Sequence, residues 1–403
     1  MDPAGADLKR IIELGIVLAV AASCPGQGAE SSNAQRQTAL VFEAQGKISE
    51  AEAEWRALLK SHPSTPEAYA HLGLLEARQE HYKEAVPLYR KALSIGPEVP
   101  GLRLNLGLAL FKDGDLKAAI QEFDRLLKAQ PGNQQLLTLT GMAHYGLGEY
   151  AEAVPFLKEA AAQDPQNLAV RLALAHSCLW SRQNQCVMGV YREILSLNSD
   201  SAEADMLAGE ALDDMKDEEG SIRMFRAAVK ANPKEPNAHF GLGYLLWTLK
   251  EYPEAQSEFE AELANDPNHA QAMVYLADTE MQLNHTEAAE PLLVKALRID
   301  AGRELAHLDL GILYADAGRK EDALKEMKEA ARLAPEDVDV HWRLGRLYRT
   351  MGKVDEAKAE FARASSITKT KDDALIDQIN GKTSVAPEQP AQSQKPAAAP
   401  SDK

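Results

Sequence analysis

An interval of 34 residues governs this chain of 403 residues. Ala39, Gly73, Gly107, Gly141, Ala175, Gly209, Gly243, Ala277, Gly311 and Gly345 recur at that spacing with no insertion, and all ten are Gly or Ala. Twelve residues after each stands Ala51, Ala85, Ala119, Ala153, Val187, Ser221, Ala255, Ala289, Ala323 or Ala357. Pro63, Pro97, Pro131, Pro165, Pro233, Pro267 and Pro335 then close seven of the units. A unit this short cannot bury its apolar face alone, so a strict period of this length restricts the chain to a stack of similar units.

Each unit carries two apolar patterns at helical spacing, joined by a turn that is glycine at Gly46, Gly114, Gly148, Gly318 and Gly352. Glycine inside a helix costs about 0.5–1 kcal/mol against alanine, so small residues held at ten equivalent places need a compensating gain. Close approach of the two helices supplies it, with the small residue of the second helix meeting that of the first. The prolines end the second helices, because proline cannot continue the hydrogen-bond ladder.

The segments EAYAHLGLLEARQEHYKEAVPLYRKALSIGP (Glu67 to Pro97) and NAHFGLGYLLWTLKEYPEAQSEFEAELANDP (Asn237 to Pro267) resemble the tetratricopeptide repeat. The resemblance covers 32–371 as ten repeats: 32–65, 66–99, 100–133, 134–167, 168–201, 202–235, 236–269, 270–303, 304–337 and 338–371. It implies an all-α fold, a right-handed superhelical solenoid of helix-turn-helix units whose first helices line a concave groove. Repeat 5 departs most: Val187 replaces the small residue, Ser199 the proline and Arg182 the turn glycine. Asp372 to Asn380, followed by Gly381, reads as a short closing helix capped by Asp372 or Asp373, within a capping segment 372–382.

The ends read differently. Lys9 and Arg10 precede an apolar stretch, Leu14 to Ala22, of a length that suits an export signal and is too short for a membrane helix. Region 1–31 is therefore a leader and short linker, and the expected location is exported, periplasmic or envelope-associated in bacterial style. Cys24 after Ala21-Ala22-Ser23 partly resembles a lipobox, which adds a lipid anchor as an alternative to ordinary cleavage. Asp2, Asp7 and Glu13 dilute the signal and keep open an amphipathic leader on a cytoplasmic protein. Residues 383–403, rich in Pro, Ala and Gln, read as a disordered tail.

Composition narrows the chemistry. The net charge is −17, which repels nucleic acid in the absence of a dense basic patch. No phosphate loop, dinucleotide fingerprint, nucleophile elbow or zinc-protease motif occurs, so the chain reads as non-enzymatic with no cofactor or metal. His239, His307 and His341 hold the same place in their units, too far apart to share a metal. Cys178 and Cys186 fall on the two helices of repeat 5 near their turn; a disulfide or two buried thiols both fit. Asn284-His285-Thr286 matches a glycosylation acceptor and equally a structural turn.

In the family resembled, the second, fifth, ninth, twelfth and thirteenth places of each unit face the groove. Carried over, these places hold Phe111, Tyr145, Trp180, Phe240, Tyr244, Trp247 and Trp342, three of the four tryptophans among them. Met142, Met206 and Met281 join the same surface. Such side chains offer adaptable apolar area to an extended or helical peptide, and the same places also serve packing against the next repeat. Repeat 6 adds Glu203, Glu210, Asp213 and Asp214 at groove places. The expected partner is a protein or peptide segment with apolar anchors and nearby Lys or Arg. The ninth places hold no Asn, so the carboxylate clamp of some chaperone-binding relatives is absent. A scaffold on this surface is the first reading; an envelope-tethered lipoprotein serving assembly or secretion is the second.

Overall fold

The structure, a computed structural model, describes residues 29–99 and 101–379. The leader with Cys24, the tail 383–403 and the end of the closing segment lie outside the described residues. Among the described residues there are 20 helices and no strand. They alternate as first and second helices of ten repeats, from Ala29–Ala44 with Ile48–Ser61 to Val338–Thr350 with Val354–Ile379. The described residues divide into two compact units between Glu235 and Pro236, the junction of repeats 6 and 7. Within each unit most first helices touch the first helix of the next repeat, as Gln134–Gly146 touches Leu168–Trp180 and Ala238–Thr248 touches Ala270–Gln282. The second helices make no comparable contact, so the first helices lie on the inner side of each unit's curve.

The periodic glycines work by close approach. A Cβ on Gly107 would lie 2.5 Å from the Phe123 ring, and one on Gly243 2.8 Å from Phe259. The residue that fills the space is the large one sixteen places on, fully buried as Trp55, Tyr89, Phe123, Leu157 and Phe259. The small residue of the second helix does come near: the Ser221 hydroxyl donates to the Gly209 carbonyl at 2.8 Å. The expected small-to-small contact is thus flanked by a large ring that the glycine accommodates.

The turn is left-handed in all ten repeats. Glycine serves at Gly46, Gly114, Gly148, Gly318 and Gly352, while Glu80, Arg182, Lys216, Lys250 and Asn284 adopt φ of +58° to +65° at the same place. Arg182 therefore keeps the backbone of the glycine it replaces, and Asn284 is a turn residue. In repeat 5 Cys178 and Cys186 are disulfide-bonded with Cα atoms 5.8 Å apart, tying the two helices beside that turn.

Three histidines pair inside their own hairpins. Nδ1 of His239, His307 and His341 lies 2.6–2.7 Å from Glu258, Glu326 and Glu360, each nineteen residues on. Repeat 8 has Met273 and Leu292 at those two places, apolar against apolar. One correction concerns the end: no closing helix starts at Asp372. The second helix of repeat 10 runs unbroken over Val354–Ile379, because no Gly or Pro interrupts that stretch.

Candidate partner-binding surfaces

The groove residues separate by depth. In the first unit Phe111 and Met142 are buried in the hydrophobic core, so they hold the repeats together. Tyr145 and Trp180 are half-buried and stack with centroids 6.0 Å apart. Tyr150, opening the second helix of repeat 4, packs at 4.5 Å from Trp180, and His176 at 5.0 Å. His176 Nε2 in turn lies 2.8 Å from Glu203 Oε1 of the next repeat. Met206 is half-buried, whereas Glu210 and Asp214 are exposed. Burial raises the Asp213 carboxyl, with Lys216 opposing and Asp214 and Glu218 adding to the rise.

In the second unit Phe240 is buried, and Tyr244 and Trp247 are half-buried. What covers them is Tyr275, at the sixth place of the next repeat. Its ring lies 5.9 Å from Phe240, 5.2 Å from Tyr244 and 5.0 Å from Trp247, edge-on to the last two. The Trp247 indole donates to Asp278 Oδ2. Beneath the row His269 stacks on Phe240 at 5.0 Å. Its Nδ1 accepts from the Ala272 amide, capping the first helix of repeat 8, and its Nε2 reaches Asn237 Oδ1 at 2.9 Å. With Nδ1 committed as an acceptor the ring is neutral, and burial holds its pKa below the ordinary value against the pull of Glu262 and Asp266. Glu262, itself buried, accepts from the amides of Asn237 and Phe240 and so fixes the start of this first helix. Phe240, Tyr244 and Trp247 thus pack on the next repeat and still show part of two rings on the inner face. Met281 is half-buried against the core of the same unit.

Repeat 10 is the exception. Trp342 stands 46% exposed, with the Arg346 guanidinium 4.9 Å from its ring centre. The acidic set of repeat 6 and the aromatic row of repeat 7 belong to different compact units. The sequence alone did not mark Tyr275, Tyr150 or His269, and His176 stood out only as the occupant of a ninth place; for Tyr275 the available signal was an aromatic next to a groove place. Among the described residues no group of three or more His, Cys, Asp or Glu is placed to hold a metal ion. No described helix is long and apolar enough to cross a membrane.

The profile of the tetratricopeptide repeat family matches residues 36–100, 104–167, 208–255, 249–304 and 308–368. The gap between the second and third matches contains repeat 5, the divergent and disulfide-tied unit. Among curated proteins the chain is 24% identical over 227 residues to BBSome complex member BBS4 of Bos taurus, covering 53% of this chain and 44% of that protein. It is 23% identical over 146 residues to anaphase-promoting complex subunit 3 of Schizosaccharomyces pombe, covering 36% and 22%. The chain thus spans less than half the length of either relative. Among solved structures, the Cut9–Hcn1 hetero-tetramer aligns over 84% of this chain and 81% of that one, with 13% identity and a TM-score of 0.43. With more than half of its residues matched by the family profile, the chain belongs to the tetratricopeptide repeat family.

Proposed function

We propose that the chain is a non-enzymatic scaffold that holds a protein or peptide segment against the inner faces of its units. The observation that carries this reading is the half-buried row of Tyr244 and Trp247 on the inner face of repeat 7, backed by Tyr275. Rings fixed from behind and open in front lose little entropy on binding and suit an apolar anchor of the partner. Tyr145 and Trp180 offer the first unit an equivalent set, with Glu210 and Asp214 as exposed carboxylates suited to Lys or Arg of the same partner.

Crosslinked capture from native cells tests the proposal, comparing wild type with Tyr244→Ala/Trp247→Ala. Phe240 stays unchanged because its loss would leave a cavity rather than remove a contact surface. The same partners captured by both proteins would sink the reading for this row.

Export remains part of the proposal. The bond between Cys178 and Cys186 supports it, since such a bond persists in an oxidising compartment. Lipid attachment at Cys24 is the tethered variant of the same idea. Alkylation of free thiols in protein taken from cells, followed by mass measurement, tests the first point. Metabolic labelling with a fatty acid, lost in Cys24→Ser, tests the second.

A further inference from the structure

The last described first helix, Val338–Thr350, presents a face that, within each unit, the following repeat covers. Contacts elsewhere in the array specify the cover. Place nine of one repeat meets place two of the next, as His176 meets Glu203 at 2.8 Å. Place twelve meets place six of the next, as Glu43 meets His71 at 2.9 Å and Trp247 meets Tyr275. Place five is closed over by the same neighbour, as Phe240 is by Tyr275. In repeat 10 these places are Trp342, Arg346 and Arg349, spaced by four and three residues on one helix face. Among the described residues no further first helix follows them.

The exposed charge there is of the opposite sign to the chain's net charge of −17. Arg346 and Arg349 are both exposed and lie over the rings of Trp342 and Phe361. Among the described residues neither has a carboxylate at ion-pair distance. Their neighbour Arg343 is by contrast held by Asp339 at 2.6 Å. Two unneutralised guanidinium groups beside an exposed indole are an unusual expenditure on an acidic protein's surface, and they match carboxylates in a planar, bidentate way.

We infer that this end face docks an acidic amphipathic helix of a partner protein in the position an eleventh first helix would take. The contact rule fixes its chemistry. Carboxylates at its second and sixth places, one turn apart, face Arg346 and Arg349, and an apolar side chain covers Trp342. This surface is separate from the aromatic row of repeat 7, so its test does not depend on that row.

The probe is a labelled, helical peptide of Leu, Ala and Glu with glutamates four residues apart, together with its counterpart carrying Lys for Glu. Fluorescence anisotropy is read against wild type, Trp342→Ala and Arg346→Glu/Arg349→Glu, each first shown to be as helical as wild type. The Glu peptide is expected to bind wild type, to weaken about ten-fold or more on Arg346→Glu/Arg349→Glu, and to weaken on Trp342→Ala. The Lys peptide is expected to prefer the charge-reversed variant. No binding of the Glu peptide, or equal binding to wild type and charge-reversed protein, overturns the inference. So does concentration-dependent self-association of wild type that Arg346→Glu/Arg349→Glu abolishes, which would assign the face to a second copy. Displacement of the Glu peptide by single-stranded DNA at lower concentration than by free Glu peptide would likewise overturn it in favour of a nucleic-acid site.

Discussion

Repeats 7 and 10 share one skeleton and differ in what lies on it. Both set a glycine against a phenylalanine, Gly243 with Phe259 and Gly345 with Phe361, at 2.8 Å from a notional Cβ. Both tie first helix to second through a His–Glu pair, His239 with Glu258 and His341 with Glu360. At the fifth, ninth and twelfth places, however, repeat 7 has Phe240, Tyr244 and Trp247 packed under Tyr275, and repeat 10 has Trp342, Arg346 and Arg349 uncovered. The hairpin is therefore specified by residues that point within the unit. The inter-repeat places vary with whatever comes next, and only where no repeat covers them can they change at little cost to the fold.

The comparison breaks most visibly at the phenylalanines. Phe259 is fully buried between the first helix of its repeat and Tyr275 of the next, so Phe259→Ala should cost about 3–5 kcal/mol of local stability. Phe361 is only half-buried, and Phe361→Ala should cost about 1–2 kcal/mol. Hydrogen exchange resolved by repeat measures both, and equal losses would mean that the end repeat is packed as fully as an inner one. Next in size is the cover itself. Tyr275→Ala should cost about 2 kcal/mol and shift Trp247 emission to the red as its ring meets water, whereas Trp342→Ala should stay within about 0.5 kcal/mol.

Falling and rising pH should act at two places in the second unit in opposite senses. His269, under the aromatic row, has its pKa lowered by burial. Its contribution is present above the unfolded value of about 6.5 and is lost as pH falls through the lower folded value, when Nδ1 must take a proton and release the Ala272 amide. Asp309 of repeat 9 is 2% exposed with no partner for Oδ2. Burial raises its pKa well above the ordinary range, Asp278 and Asp339 adding to the rise and Arg343 opposing it. Its folded value is the higher one, so its contribution is present below the unfolded value and is lost as pH rises through the folded one. Asp309→Asn should remove the loss on rising pH and leave the loss on falling pH intact. Thermal unfolding of the second unit across pH checks this, and an unchanged loss on rising pH in Asp309→Asn would discard the assignment.

How much of this the residues disclose beforehand depends on whether a position answers to its own repeat or to its neighbour. The array itself is legible because Gly or Ala recurs at ten places and proline at seven. The His–Glu pairs were equally open to reading, since a spacing of nineteen recurs three times and turns apolar at both ends in Met273 and Leu292. The aromatic row is legible both as a surface and as packing against the next repeat, but the residue that covers it is not, because Tyr275 sits at a sixth place that the family's groove pattern does not include. The closing helix was misplaced for a local reason: Asp372 and Asp373 look like a cap, yet helix continues through them when nothing stops it. Left-handed turns were visible only where glycine marks them.

That last gap yields a small effect and the sharpest contrast between the two repeats. At the turn, repeat 7 has Lys250 at φ +63° and repeat 10 has Gly352 at φ +76°. A side chain in this region costs about 1–2 kcal/mol from the contact of Cβ with its own carbonyl, partly offset by the greater unfolded-state freedom of glycine. Around Gly352 a Cβ would meet nothing within 4 Å, so only the backbone penalty separates the two residues there. Lys250→Gly should stabilise repeat 7 by about 0.5–1 kcal/mol, and Gly352→Lys should destabilise repeat 10 by a similar amount. Hydrogen exchange of the flanking helices reads each change. If Lys250→Gly instead loosened its hairpin, the lysine would be supplying a contact that outweighs the strain, and the two turns would differ in more than backbone.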